Sequence, residues 1–145
     1  MEKLLLFVVA NTILITTKQK NMPTTSKTSL TFVSLQVRDL ETSREFYANA
    51  LGLELTQSPN PQAVVFASES GAVFALVARR QNLDEVKQPG LGVAIWLRVF
   101  DIQNYHDCIS QRASIIRGSE ETPFGKTFLV ADPDGYVLTI QQMQQ

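Results

Sequence analysis

The chain has 145 residues, a formal net charge of −1, 44% apolar side chains and 19% charged ones. That length suits one domain, or two small modules sharing a core, and the absence of a basic excess argues against a nucleic-acid surface. Cys108 is the only cysteine, which excludes an intrachain disulfide and any multi-cysteine zinc or iron–sulfur site and agrees with a reducing compartment.

Residues 1–29 read as a poorly ordered leader, signal-like or an over-extended start. Lys3 precedes an apolar stretch over 4–15 that contains Asn11 and Thr12. A membrane-spanning helix takes about 20 apolar residues, so this stretch is too short to be one. It matches the core of a secretory signal in length, but Glu2, the single leading cation and the lack of a small-x-small cleavage site speak against that. A biological start at Met22 and an ordered extra strand are the two other readings. Membrane contact follows only if residues 1–21 act as a signal or anchor. Otherwise the expected location is the cytoplasm.

Residues 30–37 alternate and are β-rich, which predicts a strand. Asp39 suits a helix N-cap, since its carboxylate can accept from the free N–H groups of the first turn. Leu40, Phe46, Tyr47 and Leu51 share a helical face, and Gly52 stands where a left-handed residue ends a helix. Leu53-Glu54-Leu55 starts a second strand, and Pro59-Asn60-Pro61 is a turn. Residues 63–67 and 73–78 predict a hairpin turned through Glu69-Ser70-Gly71. Module one therefore reads β-α-β-β-β over about 30–80.

Polar residues 81–91, with Pro89-Gly90, predict a linker before module two at 92–142. Residues 92–99 predict a strand, Asp101 a second N-cap, and Ile102, Tyr105, Ile109 and Ala113 the apolar face of a helix. A short strand is expected over 114–116, ended by a turn near Gly118. Strands over 126–131 and 136–141 are joined by Asp132-Pro133-Asp134-Gly135. There proline presets a backbone angle, aspartates bond local N–H groups and glycine accepts positive φ.

The two strand–helix junctions repeat. Leu35, Val37, Asp39 and Leu40 in the first copy match Leu97, Val99, Asp101 and Ile102 in the second. With Val37-Arg38-Asp39-Leu40-Glu41-Thr42-Ser43, Phe46-Tyr47, Leu51-Gly52-Leu53 and the run from Phe128 through Asp132-Pro133-Asp134-Gly135 to Ile140, the chain over about 30–142 resembles the vicinal oxygen chelate superfamily. That superfamily includes glyoxalases, extradiol dioxygenases, fosfomycin-resistance enzymes and bleomycin-resistance proteins. The resemblance implies an α+β fold of two βαβββ modules that form a curved sheet around a cavity, often within a homodimer.

In metal-dependent members of the family, a His or Gln opens the first strand seven residues before the cap aspartate. Here that residue is Phe32, and its counterpart in module two is Ala94. The usual Glu, four residues after the turn glycine, is Thr139, and a late acid in module one would fall near Ala75 or Leu76. Divalent metals take nitrogen, sulfur or carboxylate donors. Phenyl and methyl groups cannot coordinate and a lone hydroxyl is a poor ligand, so no metal and no cofactor is expected. His106, the only histidine, falls on the second helix as a surface or satisfied side chain.

Side chains alternate along a strand, so residues two apart share a face. Phe32 brings Ser34 and Gln36 into the expected cavity, Ala94 brings Trp96 and Arg98, and Thr139 brings Val137 and Gln141. Trp96 offers a stacking surface for a planar ligand, and Arg98 a two-pronged contact for a carboxylate or phosphate. The candidate ligand-binding set is Phe32, Ser34, Gln36, Trp96, Arg98, Thr139 and Gln141. The bland alternative has Phe32 and Trp96 filling the space a metal would take. Thr122-Pro123-Phe124-Gly125, after Glu120-Glu121, is either a solvated loop or a cover for the pocket. The favoured expectation is a metal-independent binding protein for a small, partly aromatic molecule, as bleomycin-resistance proteins are. A divergent lyase, isomerase or dioxygenase relative using Gln36 and Arg98 is the second expectation. A structural or regulatory module with a filled cavity is the third.

Overall fold

The computed structural model describes residues 30–69, 71 and 73–144; the leader expected over 1–29 lies outside them. In chain order the elements are β1 Val33–Val37, α1 Leu40–Glu45 continued by one wide turn over Phe46–Ala50, β2 Leu55–Thr56, β3 Ala63–Ala67 and β4 Val73–Ala78. Then follow a short 3₁₀ turn at Leu83–Glu85, β5 Ile95–Val99, α2 Ile102–Ile109, β6 Ser114–Thr122, β7 Gly125–Ala131 and β8 Val137–Gln142. Two curved, unclosed four-stranded sheets result, ordered β1-β4-β3-β2 and β5-β8-β7-β6. In each, the first strand runs parallel to the last and the remaining pairs are antiparallel. The fold is therefore α+β with the same βαβββ order used twice.

Both helices start where a short carboxylate can satisfy free backbone donors. Asp39 accepts from the N–H of Thr42 at 2.6 Å, and Asp101 from that of Asn104 at 3.1 Å. The first helix widens at its end, where the N–H of Leu51 reaches the carbonyl of Phe46 at 3.0 Å, five residues back. This wide turn lets the adjacent rings of Phe46 and Tyr47 both face inward, edge to face at 5.4 Å. Gly52 then takes φ +76, and the N–H of Leu53 closes on the carbonyl of Tyr47 at 2.9 Å. The left-handed end anticipated at Gly52 is thus present.

One apolar core joins the two halves. Leu35 and Val37 of β1, Phe66 of β3 and Leu76 of β4 enter it beside Phe128, Val130, Leu138 and Ile140 of the second sheet. Tyr47 packs 5.1 Å from Phe74 and 5.9 Å from Phe66. Strand alternation sends the residues between these to the opposite face of each sheet, and that face holds the candidate site.

Several boundaries differ from expectation. The first strand begins at Val33 and the fifth at Ile95, so Phe32 and Ala94 precede their strands rather than open them. The turn expected near Gly118 is absent. β6 continues to Thr122, and two register shifts, between Ile115 and Arg117 and between Arg117 and Glu120, absorb the irregular stretch as bulges. The linker contains the turn Leu83–Glu85, with Leu83 buried. Among the described residues no helix is long and apolar enough to cross a membrane.

Leu76 is fully buried at the centre of the first sheet. Leu76→Ala should lower the unfolding free energy by about 2–5 kcal/mol, whereas Leu55→Ala, at an exposed position, should change it by less than about 0.5 kcal/mol, both read from urea denaturation.

Candidate functional site

Two polar constellations stand out, one at the junction of the modules and one on the open face of the second sheet. The first is built on the β7–β8 turn. Asp132 shapes the turn from within, as its Oδ1 accepts from the N–H groups of Asp134 at 2.9 Å and Tyr136 at 2.8 Å. Its Oδ2 accepts from the Tyr47 hydroxyl at 2.8 Å. Asp134 reaches the other way: its Oδ1 accepts from the N–H and Nη1 of Arg38, both at 3.0 Å, and its Oδ2 from the Ser43 hydroxyl at 3.2 Å. Arg38 also donates to Asp84 Oδ1 at 2.7 Å and to the Leu83 carbonyl at 2.7 Å. Tyr136 returns the contact, donating to the Gln36 carbonyl at 2.9 Å.

Burial decides the electrostatics of this junction. It pushes the Asp132 carboxyl above its ordinary value, although the Tyr47 hydroxyl and the two backbone donors pull it down. Burial and the nearby Asp132 charge push the Tyr47 phenol up as well, so it stays a donor. The exposed Asp84 is held below its usual range by the hydrogen bond from Arg38. Every polar group here has a partner, so the cluster is a clasp between modules and not a free site.

The second constellation lies on β5 and β8. Register pairs Trp96 with Thr139 and Arg98 with Gln141. The cores of both strands, Ile95, Leu97, Leu138 and Ile140, face the other way, so these four side chains share the open face. The β6–β7 turn folds toward them. Phe124 meets Trp96 edge to face at 5.6 Å, and Gln141 Nε2 donates to the Phe124 carbonyl at 2.6 Å. Thr122 holds the turn by donating to the Gly125 carbonyl at 2.7 Å. Beside it, Arg98, Pro123, Phe124, Gln141, Gln142 and Gln144 surround a pocket of about 310 Å³.

The other candidate residues fall elsewhere. Ser34 and Gln36 lie on the open face of β1, opposite Ala75 and Val77 of β4, with Phe32 exposed just before the strand. Gln36 Oε1 is engaged, accepting from the N–H of Arg80 at 3.0 Å. The structure therefore brings Trp96, Arg98, Thr139 and Gln141 together on one sheet and Ser34 and Gln36 on the other, and the pocket beside Arg98 is lined from the second sheet and the residues that flank it. A further cleft of about 120 Å³ runs between Leu35, Ile95, Tyr136 and Val137 and the 88–93 segment. Phe124 and Gln144 were not singled out individually by sequence reasoning. The Pro-Phe-Gly turn was the available signal for the first. The clasp of Arg38, Ser43 and Tyr47 on the β7–β8 turn left no local signal at all.

The places where the family holds a metal do not fit one here. Phe32 and Ala94 offer no donor, Ala75 offers a methyl group, Leu76 points into the core, and Thr139 offers a single hydroxyl. Among the described residues no group of three or more His, Cys, Asp or Glu could hold a metal ion. The His106 ring stands edge-on to Phe128 at 5.1 Å, with Nδ1 3.4 Å from Asp107 Oδ1. Cys108 is exposed, with Asn104 Oδ1 4.0 Å from its sulfur.

Residues 29–140 match the family described as Glyoxalase/Bleomycin resistance protein/Dioxygenase superfamily, and the chain belongs to it. Solved structures share the fold. A protein of unknown function from Agrobacterium tumefaciens str. C58 is similar at 21% identity and a TM-score of 0.66, over 82% of this chain and 97% of that one. A glyoxalase-related enzyme from Fulvimarina pelagi is similar at 22% identity and a TM-score of 0.63, over 81% and 89%. TnmS3, an antibiotic binding protein from Streptomyces sp. CB03234, is similar at 22% identity and a TM-score of 0.65, over 82% and 98%. No curated protein matches the chain.

Removing the Asp134 carboxylate would strand the buried Ser43 hydroxyl and the Arg38 N–H. Asp134→Ala should destabilise by about 2–3 kcal/mol, while Arg44→Ala, which breaks only surface pairs, should cost less than about 0.5 kcal/mol; chemical denaturation measures both. Asp132 sets a pH dependence of opposite sign to a salt-bridged acid. Its folded-state value is raised, so its share of stability is fully present below the unfolded value and falls as pH rises through the folded one. In a pH series of chemical denaturation, the stability of the wild type relative to Asp132→Asn should therefore decrease as pH rises above the ordinary carboxylate value of about 4.

Proposed function

We propose that this chain is a metal-independent small-molecule-binding protein that sequesters or carries a partly aromatic ligand on the open face of its sheets, as a cytoplasmic homodimer. The observation that carries this reading is the register pairing of Trp96 with Thr139 and of Arg98 with Gln141, beside the Phe124 turn, on a face whose metal places hold no metal donors. Two rings beside a guanidinium and several amides offer a small molecule both a stacking surface and polar partners. The likeness to TnmS3, described as an antibiotic binding protein, supports the reading through the shared fold.

Dimerisation supplies what the single chain lacks. Leu91, Val93 and Val137 are exposed around one cleft, and a second copy would cover such apolar surface. The enzyme alternative would need a general acid or base. Gln36 offers a neutral amide whose oxygen already accepts from the N–H of Arg80.

Trp96 is the only tryptophan, so its fluorescence reports on this face alone. Native mass spectrometry of freshly purified protein should give a dimer without stoichiometric metal, and a panel of aromatic natural products should include compounds that quench Trp96 at a one-to-one ratio per chain. Stoichiometric zinc, nickel, manganese or iron in the purified protein would sink the reading.

A further inference from the structure

We propose that the pocket beside Arg98 selects planar aromatic ligands bearing an anionic group, a carboxylate above all; this deepens the small-molecule reading and rests on it. Arg98 is the sole charged residue in the pocket lining. Among the described residues no carboxylate forms an ion pair with it, in contrast to Arg38, Arg44, Arg79 and Arg117. The acids on the neighbouring hairpin face their own cations: Glu120 pairs with Arg117 at 3.0 Å, and Glu121 stands opposite Lys126 in the strand register. The remaining polar lining is neutral amide. Gln142 is already committed, its Oε1 accepting from the N–H of Ile102 at 2.9 Å and its Nε2 donating to the Phe100 carbonyl. Gln141 is anchored to the Phe124 carbonyl.

The pocket thus offers one guanidinium fork, with nothing on the lining to neutralise it. A guanidinium recognises carboxylate oxygens in pairs. Trp96 and Arg98 stand two residues apart on one face of β5, about 7 Å along the strand, which is close to the span from the far end of a fused bicyclic ring to a carboxylate it carries. Phe124 is the ring of the pocket lining, with Trp96 edge to face against it just outside, and a volume of about 310 Å³ admits a ligand of that size. A cationic ligand of the same shape would meet like charge at Arg98.

Calorimetric titration of the full chain with three isosteric probes tests this: 2-naphthoate, neutral 2-naphthamide and cationic 2-naphthylmethylammonium. The expected order is acid, amide, amine, with the acid about tenfold tighter than the amide. Arg98→Gln, which among the described residues breaks no ion pair, should equalise acid and amide and shift the melting temperature little. Phe124→Ala should weaken acid and amide alike, because ring contact is blind to charge. Equal binding of acid and amide by the wild type, or a preference that survives Arg98→Gln, overturns the anionic class and leaves the small-molecule pocket standing. An unchanged affinity in Phe124→Ala overturns the placement of the ring. Absence of binding for all three probes counts against the binding-protein reading itself, and the anionic class falls with it.

Discussion

Two buried carboxylates in one turn hold the modules together. Asp132 and Asp134 lie at the tip of the β7–β8 hairpin; the Asp132 carboxylate serves both its own turn and the other module, and that of Asp134 serves the other module alone. Tyr47 donates to the first; Arg38 and Ser43 donate to the second. Burying a carboxylate is costly unless its oxygens are met by donors. The cost is offset here because donors converge from a strand end, a helix and the turn's own backbone. The requirement works in both directions, since Arg38, Ser43 and Tyr47 cannot move without stranding charge or hydroxyl in the interior. The relative placement of β1 and β8, and so of the two open faces, follows from this clasp.

The repeat is not a symmetric one in its polar contacts. Module one's strand end is received by Asp134 from module two. Module two's helix start is instead received by Gln142 of its own sheet, and Tyr105 donates across to the Leu51 carbonyl at 2.7 Å. Module two's junction is thus served by a neutral amide of its own sheet, and module one's by an acid of the other module. The charged clasp lies at the turn that precedes β8 and the amide-lined pocket of Arg98 at the end of that strand.

The scaffold belongs to a family that includes metal-dependent members, yet the side chains at the metal places are those of a wall. Phe32, Ala94 and Thr139 change what the open face can do without changing how the sheets form, because strand pairing uses the backbone while metal binding uses the alternate side chains. Chemistry on this face therefore rests on ring surface, amide dipoles and one guanidinium.

Local signals in the chain determined much of this. The Asp39 and Asp101 caps, the left-handed Gly52, the hairpin of β3 and β4 and the duplicated βαβββ order are all written in short stretches, since each depends on backbone groups a few residues away. Alternation alone also assigns Trp96, Arg98, Thr139 and Gln141 to one face. The length of β6 was not legible, because its bulges interrupt the alternation that marks a strand. Nor was the separation of Ser34 and Gln36 from the pocket of Arg98, or the capture of Asp134 by Arg38 from 96 positions away. Those depend on how two sheets settle around a common core, and a local pattern carries no term for a partner so distant in the chain. The sequence by itself decided the repeated unit and the face each side chain would take. Only the tertiary structure decided which faces meet, because burial of Asp132, Asp134 and Tyr47 exists only once both modules are in place.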